Sequence, residues 1–184
     1  YYGLIGSIFH IISDACMTLC LFLGAGIILH KCKTTHFDGI RGLFSKMPFT
    51  MIGFFIGGFS IIGLPPTCGF FSKWYLITGG MVAQRWEYMV VLMFSTMVMV
   101  VLFFRLIERI HLAVSESGKN LGKGHGDLGL TEEQTKFDEA PLSMLIPLLL
   151  AASIVLIIGI YNQDVVNQIE RFLEPFNLPK GTRN

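Results

Sequence analysis

The 184-residue chain is 52% hydrophobic and only 15% charged, with a formal net charge of +1 and a mean hydropathy of +0.60, whereas soluble domains average about 25% charged residues. Its apolar residues fall in blocks of roughly 20, the length that crosses a ~30 Å hydrocarbon layer, and they do not alternate as the strands of a membrane β-barrel do. The class is therefore all-α, a polytopic membrane helix bundle whose setting is the lipid bilayer, and the lack of a basic run argues against a nucleic-acid partner.

Segment one runs from about Gly3 to Leu29. Its only acid, Asp14, lies near its centre. Ser7, His10, Asp14 and Thr18 fall on one face of a 3.6-period helix, and the other faces are apolar. An ionised carboxylate facing lipid at that depth costs several kcal/mol, so this stripe should face protein or water. A loop follows from His30 to Met47, with Lys31, Lys33, Arg41 and Lys46. The chain opens on Tyr1-Tyr2, already apolar, and is expected to be the C-terminal part of a longer protein. Cys16, Cys20 and Cys68 lie in apolar segments and Cys32 in the basic loop. No Cys-x-x-Cys occurs, so neither a disulfide nor a metal site is expected.

Segment two, Pro48 to Ile77, is interrupted by Gly63-Leu64-Pro65-Pro66 and Gly69, and Lys73 lies just beyond. As one straight helix it would measure roughly 45 Å, about half as long again as the hydrocarbon layer. Two adjacent prolines remove two backbone donors and disfavour helical geometry at Leu64. The spacing predicts a half-helix from Pro48 to Ile62, a non-helical link, and a second half-helix from Thr67 to Ile77. Irregular backbone at membrane depth requires surrounding protein or a wet cavity.

Segment three is about Tyr88 to Ile107 and ends in Arg105, Glu108 and Arg109, read as an interfacial charge cluster. The polar region from His111 to Ala140 holds a capping-box pattern at Thr131 and Gln134. Segment four is about Leu142 to Tyr161, with Pro147 near its start. In the tail, Val165, Val166, Ile169, Phe172, Leu173 and Phe176 share one helical face. That amphipathic helix either lies in the interface plane or docks on a partner helix. The whole of residues 1–184 reads as a single membrane domain. Lys and Arg concentrate after segments one and three, which places those loops in the cytoplasm. His30, His36, His111 and His125 lie in or beside loops and read as solvated.

Lys73 admits two readings. Trp74, Tyr75, Trp86 and Tyr88 mark a membrane interface, where a lysine would snorkel. If the break instead draws it inward, it becomes a buried ammonium that takes and releases a proton as neighbouring charges change. His10 and Asp14, spaced i, i+4, are either a polar pair that joins helices or a proton relay.

The run His10-Ile-Ile-Ser-Asp14-Ala-Cys-Met-Thr18-Leu-Cys-Leu-Phe-Leu-Gly-Ala-Gly26 resembles the histidine-bearing helix of the antiporter-like subunits. Respiratory complex I, Mrp-type sodium/proton antiporters and membrane-bound hydrogenases share these subunits. Met47-Pro-Phe-Thr50, Gly63-Leu-Pro-Pro66 and Gly69-Phe-Phe-Ser72-Lys73 resemble that family's broken helix with its charged residue. Glu139-Ala-Pro141, with Met144 and Pro147, resembles the start of its last conserved helix. The resemblance implies helices eleven to fourteen of a fourteen-helix subunit. It implies that Lys73 and His10 take part in translocating protons, or sodium and protons; Asp14 departs from the family pattern, standing where the family often has a second histidine, and is read beside them as relaying protons or tuning Lys73. Ser7, Thr18 and Ser72 would be supporting polar residues, and Thr18 stands where the family often has a lysine. The expected function is ion translocation within a multi-subunit respiratory or antiporter complex in a prokaryotic plasma membrane, with other membrane subunits as partners. No cofactor and no redox chemistry of the chain's own are expected, although the complex could be a quinone-reducing or hydrogenase-like translocase. The alternative is a non-conducting scaffold subunit.

Overall fold

The computed structural model describes residues 1–32, 46–120 and 139–176, with backbone alone for residue 32 and for 109–120. The helices are α1 (Tyr2–Cys32), α2 (Pro48–Ile62), α3 (Cys68–Val82), α4 (Trp86–Asn120), α5 (Leu142–Ile160) and α6 (Asn162–Leu173), followed by a 3-10 turn at Glu174–Phe176. Among the described residues, Tyr2–Lys31, Trp86–Glu108 and Leu142–Ile160 are each long and apolar enough to cross a membrane, and α2 is a shorter apolar helix. The discontinuous helix and the amphipathic C-terminal helix are both present, so the chain is an all-α, multi-pass membrane bundle. The capping-box pattern, His36, His125 and the side chains of Arg109 and His111 lie outside the described residues.

Helix α1 is the central post, in contact with α2, α3, α5 and α6. The broken helix runs antiparallel along it. Phe54 of α2 meets Gly24, Cys20 meets Gly57, Met17 meets Gly69, Tyr75 of α3 meets Gly6, and Gly79 meets Gly3. Small residues permit this approach, because lipid offers no hydrophobic drive between helices and packing must supply it. A Cβ on Gly6 would sit 2.8 Å from the Leu76 nitrogen. Cys20 and Ile27 of α1 close on Leu148, Ala151 and Ala152 of α5 to form one core cluster. Met17, Cys68 and Val155 form another beside the break.

The second half-helix extends five residues past the expected Ile77 to Val82. It stops in a tight turn where Gln84 takes a left-handed φ of 52° and Arg85 N–H donates to Gly80 O at 3.0 Å. Helix α1 likewise runs beyond Leu29 to Cys32, which puts His30 and Lys31 in its last turn, where the helix dipole favours cations. Helix α6 docks by Val166, Ile169 and Leu173 against Ile5 and Phe9 of α1, with Tyr75 alongside; Phe172 and Phe176 stay exposed.

The N-terminus of α2 is capped from far away in sequence. Pro48 occupies the first turn and Met47, at the cap position, makes no side-chain cap bond. Glu139 accepts from Phe49 N–H at 3.3 Å, Thr50 N–H at 3.1 Å and the Thr50 hydroxyl at 2.6 Å. A carboxylate at a helix N-terminus satisfies orphan donors and meets the positive end of the dipole. Glu139→Ala is expected to cost about 1–2 kcal/mol. The check is thermal unfolding of the purified protein; an unchanged Tm would show that the cap contributes nothing.

Candidate functional site

The break follows from local chemistry. Gly63 ends α2 in the left-handed conformation, φ 94°, and both its N–H and that of Leu64 donate to Phe59 O at 3.0 Å. In a continuing α-helix, the carbonyls of Ile61 and Ile62 would accept from the N–H groups of residues 65 and 66. Those residues are Pro65 and Pro66, which have none. The Lys73 ammonium takes their place. Nζ donates to Ile61 O at 2.5 Å and to Ile62 O at 3.0 Å. One cation therefore meets both carbonyls that the proline pair orphans, at the negative end of the α2 dipole.

The first turn of α3 lies beside the last turn of α2. Gly69 N–H donates to Ser60 Oγ at 3.3 Å, and a Cβ on Gly69 would overlap the Ser60 carbonyl. Thr67 Oγ1 donates to Leu64 O at 2.6 Å inside the link. The Pro65–Pro66 peptide bond is cis. This side-by-side arrangement takes back chain length. Lys73 would lie some 37 Å along a straight helix from Pro48; instead its ammonium returns to the end of α2. Gly69 is level with Met17, the midpoint of the Tyr2–Cys32 helix.

Lys73 is half-buried and opens on a cleft of about 890 Å³. Ser7, His10 and Asp14 of α1, Lys73 of α3, Arg85, and Tyr88, Ser95 and Thr96 of α4 all line it. The cleft lies where α4 stands off from the bundle between two contacts, one in its first turn and one near its middle. Met89 packs by Gly80. Further along, Phe103 meets Phe59 at 5.6 Å and Phe54 at 6.4 Å between ring centres. Many apolar side chains between these contacts, Phe94 and Met97 among them, are exposed.

Of the residues singled out from the sequence, Ser7, His10, Asp14 and Lys73 come together at the cleft. His10 Nδ1 lies 3.1 Å from Ser72 Oγ, and that hydroxyl donates to Gly69 O at 3.1 Å. Asp14 is exposed to the cleft. Ser7 returns its hydroxyl to Gly3 O at 2.8 Å on its own helix. Thr18 is half-buried and is not among the cleft residues. The carbonyls of Ile61 and Ile62 and the hydroxyl of Ser60 escaped sequence reasoning. The proline positions carried the signal for the first two, since each proline removes the donor owed to the residue four before it.

Residues 1–99 match the family described as NADH:quinone oxidoreductase/Mrp antiporter, TM. The chain belongs to this family. It is 33% identical over 96% of its length to NADH-quinone oxidoreductase subunit N of Desulforudis audaxviator, covering 35% of that protein. It is 28% identical over 98% of its length to hydrogenase-4 component B of Escherichia coli, covering 26%. Against a Na(+)/H(+) antiporter subunit of Alkalihalophilus pseudofirmus it is 28% identical over 87% of its length, covering 20%. The chain thus spans about a third or less of the family members it matches. The resemblance carried by the His10 and Gly63–Lys73 runs is borne out at the level of the family.

Proposed function

We propose that this chain is part of an ion-translocating subunit of a multi-subunit membrane complex, and that Lys73 exchanges protons as the charges around it change. The observation that carries the reading is the ammonium at the mouth of the broken helix, bound to the Ile61 and Ile62 carbonyls and open to a cleft shared with His10 and Asp14. Two backbone carbonyls stabilise a cation without cancelling its charge. The free energy of that ammonium therefore stays sensitive to any neighbouring charge that comes or goes. Asp14, with its carboxylate on the cleft, tunes that sensitivity; His10 passes protons along the cleft.

The reading places the Gly63–Gly69 break near mid-depth, residues 1–184 in one membrane domain, and the subunit in a prokaryotic plasma membrane. It is supported by the level of Gly69 against the middle of α1 and by relatives named as quinone oxidoreductase, hydrogenase and sodium/proton antiporter subunits. Thr18, in place of a titratable group on the His10 face, favours a scaffold role instead. Ion flux in sealed vesicles separates the two. For a pump, flux with a pH-sensitive dye in sodium-free buffer collapses in the Lys73 variants; if the chain is a non-conducting scaffold, flux through the complex is the same with or without them. Asp14→Asn is expected to reduce flux a few-fold and to leave assembly unchanged. An identical flux and pH profile for that variant would assign Asp14 to helix packing alone.

A further inference from the structure

We infer that Ser72 is a positioning residue that fixes His10 as the Nδ1–H tautomer, so that protons from the cleft are accepted and released only at Nε2. The inference rests on the proposed role of His10 in proton transfer and deepens it.

Ser72 is fully buried, 0% exposed. Its hydroxyl has one hydrogen and two neighbours at equal distance, Gly69 O and His10 Nδ1, each 3.1 Å away. A carbonyl oxygen only accepts, whereas an imidazole nitrogen can donate or accept. If the hydroxyl hydrogen turned to His10, Ser72 Oγ and Gly69 O would face each other at that distance with no hydrogen between them. In a buried place such an unrelieved oxygen pair is costly. If it turns to Gly69 O, the Ser72 oxygen is free to accept, and His10 Nδ1 must carry the hydrogen. The bond that one ring nitrogen makes sets the state of the other, so Nε2 holds the free lone pair. His10 lines the cleft, and Nε2 is the nitrogen left to face it.

The anchor is rigid. Gly69 is wedged against Ser60 at the end of α2, with no room for a Cβ. Ser72 therefore hangs from the break one residue before Lys73, and the same structural element places both proton-bearing groups. A proton arriving at Nε2 makes the imidazolium, in which both nitrogens are donors and the Nδ1–H bond to Ser72 persists. When Nε2 releases the proton, the original neutral tautomer returns. No rotation of Ser72 or of the ring is needed in either direction. With the tautomers reversed, the basic nitrogen would point at a buried hydroxyl, away from the cleft. The other charged or titratable groups on the cleft are Asp14 on the same helix, Lys73 on α3, Arg85 in the turn and Tyr88 on α4.

The test is ¹⁵N solid-state NMR of the assembled complex in bilayers, labelled on histidine nitrogens, with the His10 signals identified by their loss in His10→Gln. Neutral His10 is expected as a single Nδ1–H species. In Ser72→Ala the Nε2–H species is expected to appear and ion flux to fall about tenfold, by analogy with the lower end of the loss when the partner that orients a metal-bound histidine is removed, at unchanged assembly. An Nε2–H species in the unmodified protein would overturn the inference, as would an unaltered tautomer in Ser72→Ala. Full flux in His10→Gln would instead remove the transport role of His10 and leave the tautomer result standing.

Discussion

Lys73→Arg is expected to assemble like the unmodified protein and to move ions at least about a hundredfold more slowly. On the proposed reading Lys73 does two jobs, which a simple deletion confounds. Its ammonium satisfies Ile61 O and Ile62 O, whose helical donors are absent at Pro65 and Pro66. In Lys73→Ala both carbonyls lose that donor, at about 1–3 kcal/mol for each one that cleft water fails to reach. Loss of transport in the alanine protein could then reflect a loosened break. Arginine keeps the positive charge and several N–H donors, and the cleft beside it has room for the larger head. Its guanidinium does not give up a proton in proteins. Only the exchange of protons is removed, and general acid–base steps are worth about 10²–10⁴-fold. Flux in sealed vesicles and the amount of intact complex on native gels are the two measurements. Near-normal flux in the arginine protein would leave Lys73 as a structural cation and sink the exchange mechanism.

Gly69→Ala is expected to cost on the order of 3 kcal/mol or more, at the upper end for overpacking, and to reduce the amount of folded protein sharply. The added methyl would overlap the Ser60 carbonyl and press on the Met17 sulfur. A carbonyl within a helix end cannot rotate away as a side chain can, so α2 and α3 must separate. Separation takes Lys73 from the Ile61 and Ile62 carbonyls and moves Ser72 relative to His10. Gly26→Ala is the control: nothing lies within 4 Å of the new methyl, and alanine gains about 1 kcal/mol over glycine inside a helix. Thermal unfolding in detergent should place the two variants on opposite sides of the unmodified protein. Equal Tm values for both would mean that the side-by-side packing of α2 and α3 is not a stability determinant.

Much of the fold was legible in the chain. Apolar blocks of spanning length, the proline pair and the amphipathic spacing from Val165 to Phe176 are local patterns, and each maps onto one element. The boundaries were less legible. Helix α3 runs on past the expected Ile77 to Val82, because the turn at Gln84 and Arg85 is what stops it. At the site, the i, i+4 spacing drew attention to His10 with Asp14, yet His10 Nδ1 turns to Ser72, 62 positions away. The cap of α2 by Glu139 spans 89 positions between Thr50 and Glu139. Such partners share no periodicity, and a single sequence carries no pattern that announces them.

The sequence by itself determined that this is a helical membrane protein with one interrupted helix, because helix length and loss of backbone donors at proline are properties of a few consecutive residues. It also located the Gly63–Lys73 stretch as the place where a cation and free backbone groups occur together. Only the tertiary structure decided where the cation sits. Length alone carried Lys73 some 37 Å from Pro48, towards the far interface. The missing side chain of Gly69 lets α3 start alongside α2, and that contact brings the ammonium back to the two carbonyls beside the middle of α1.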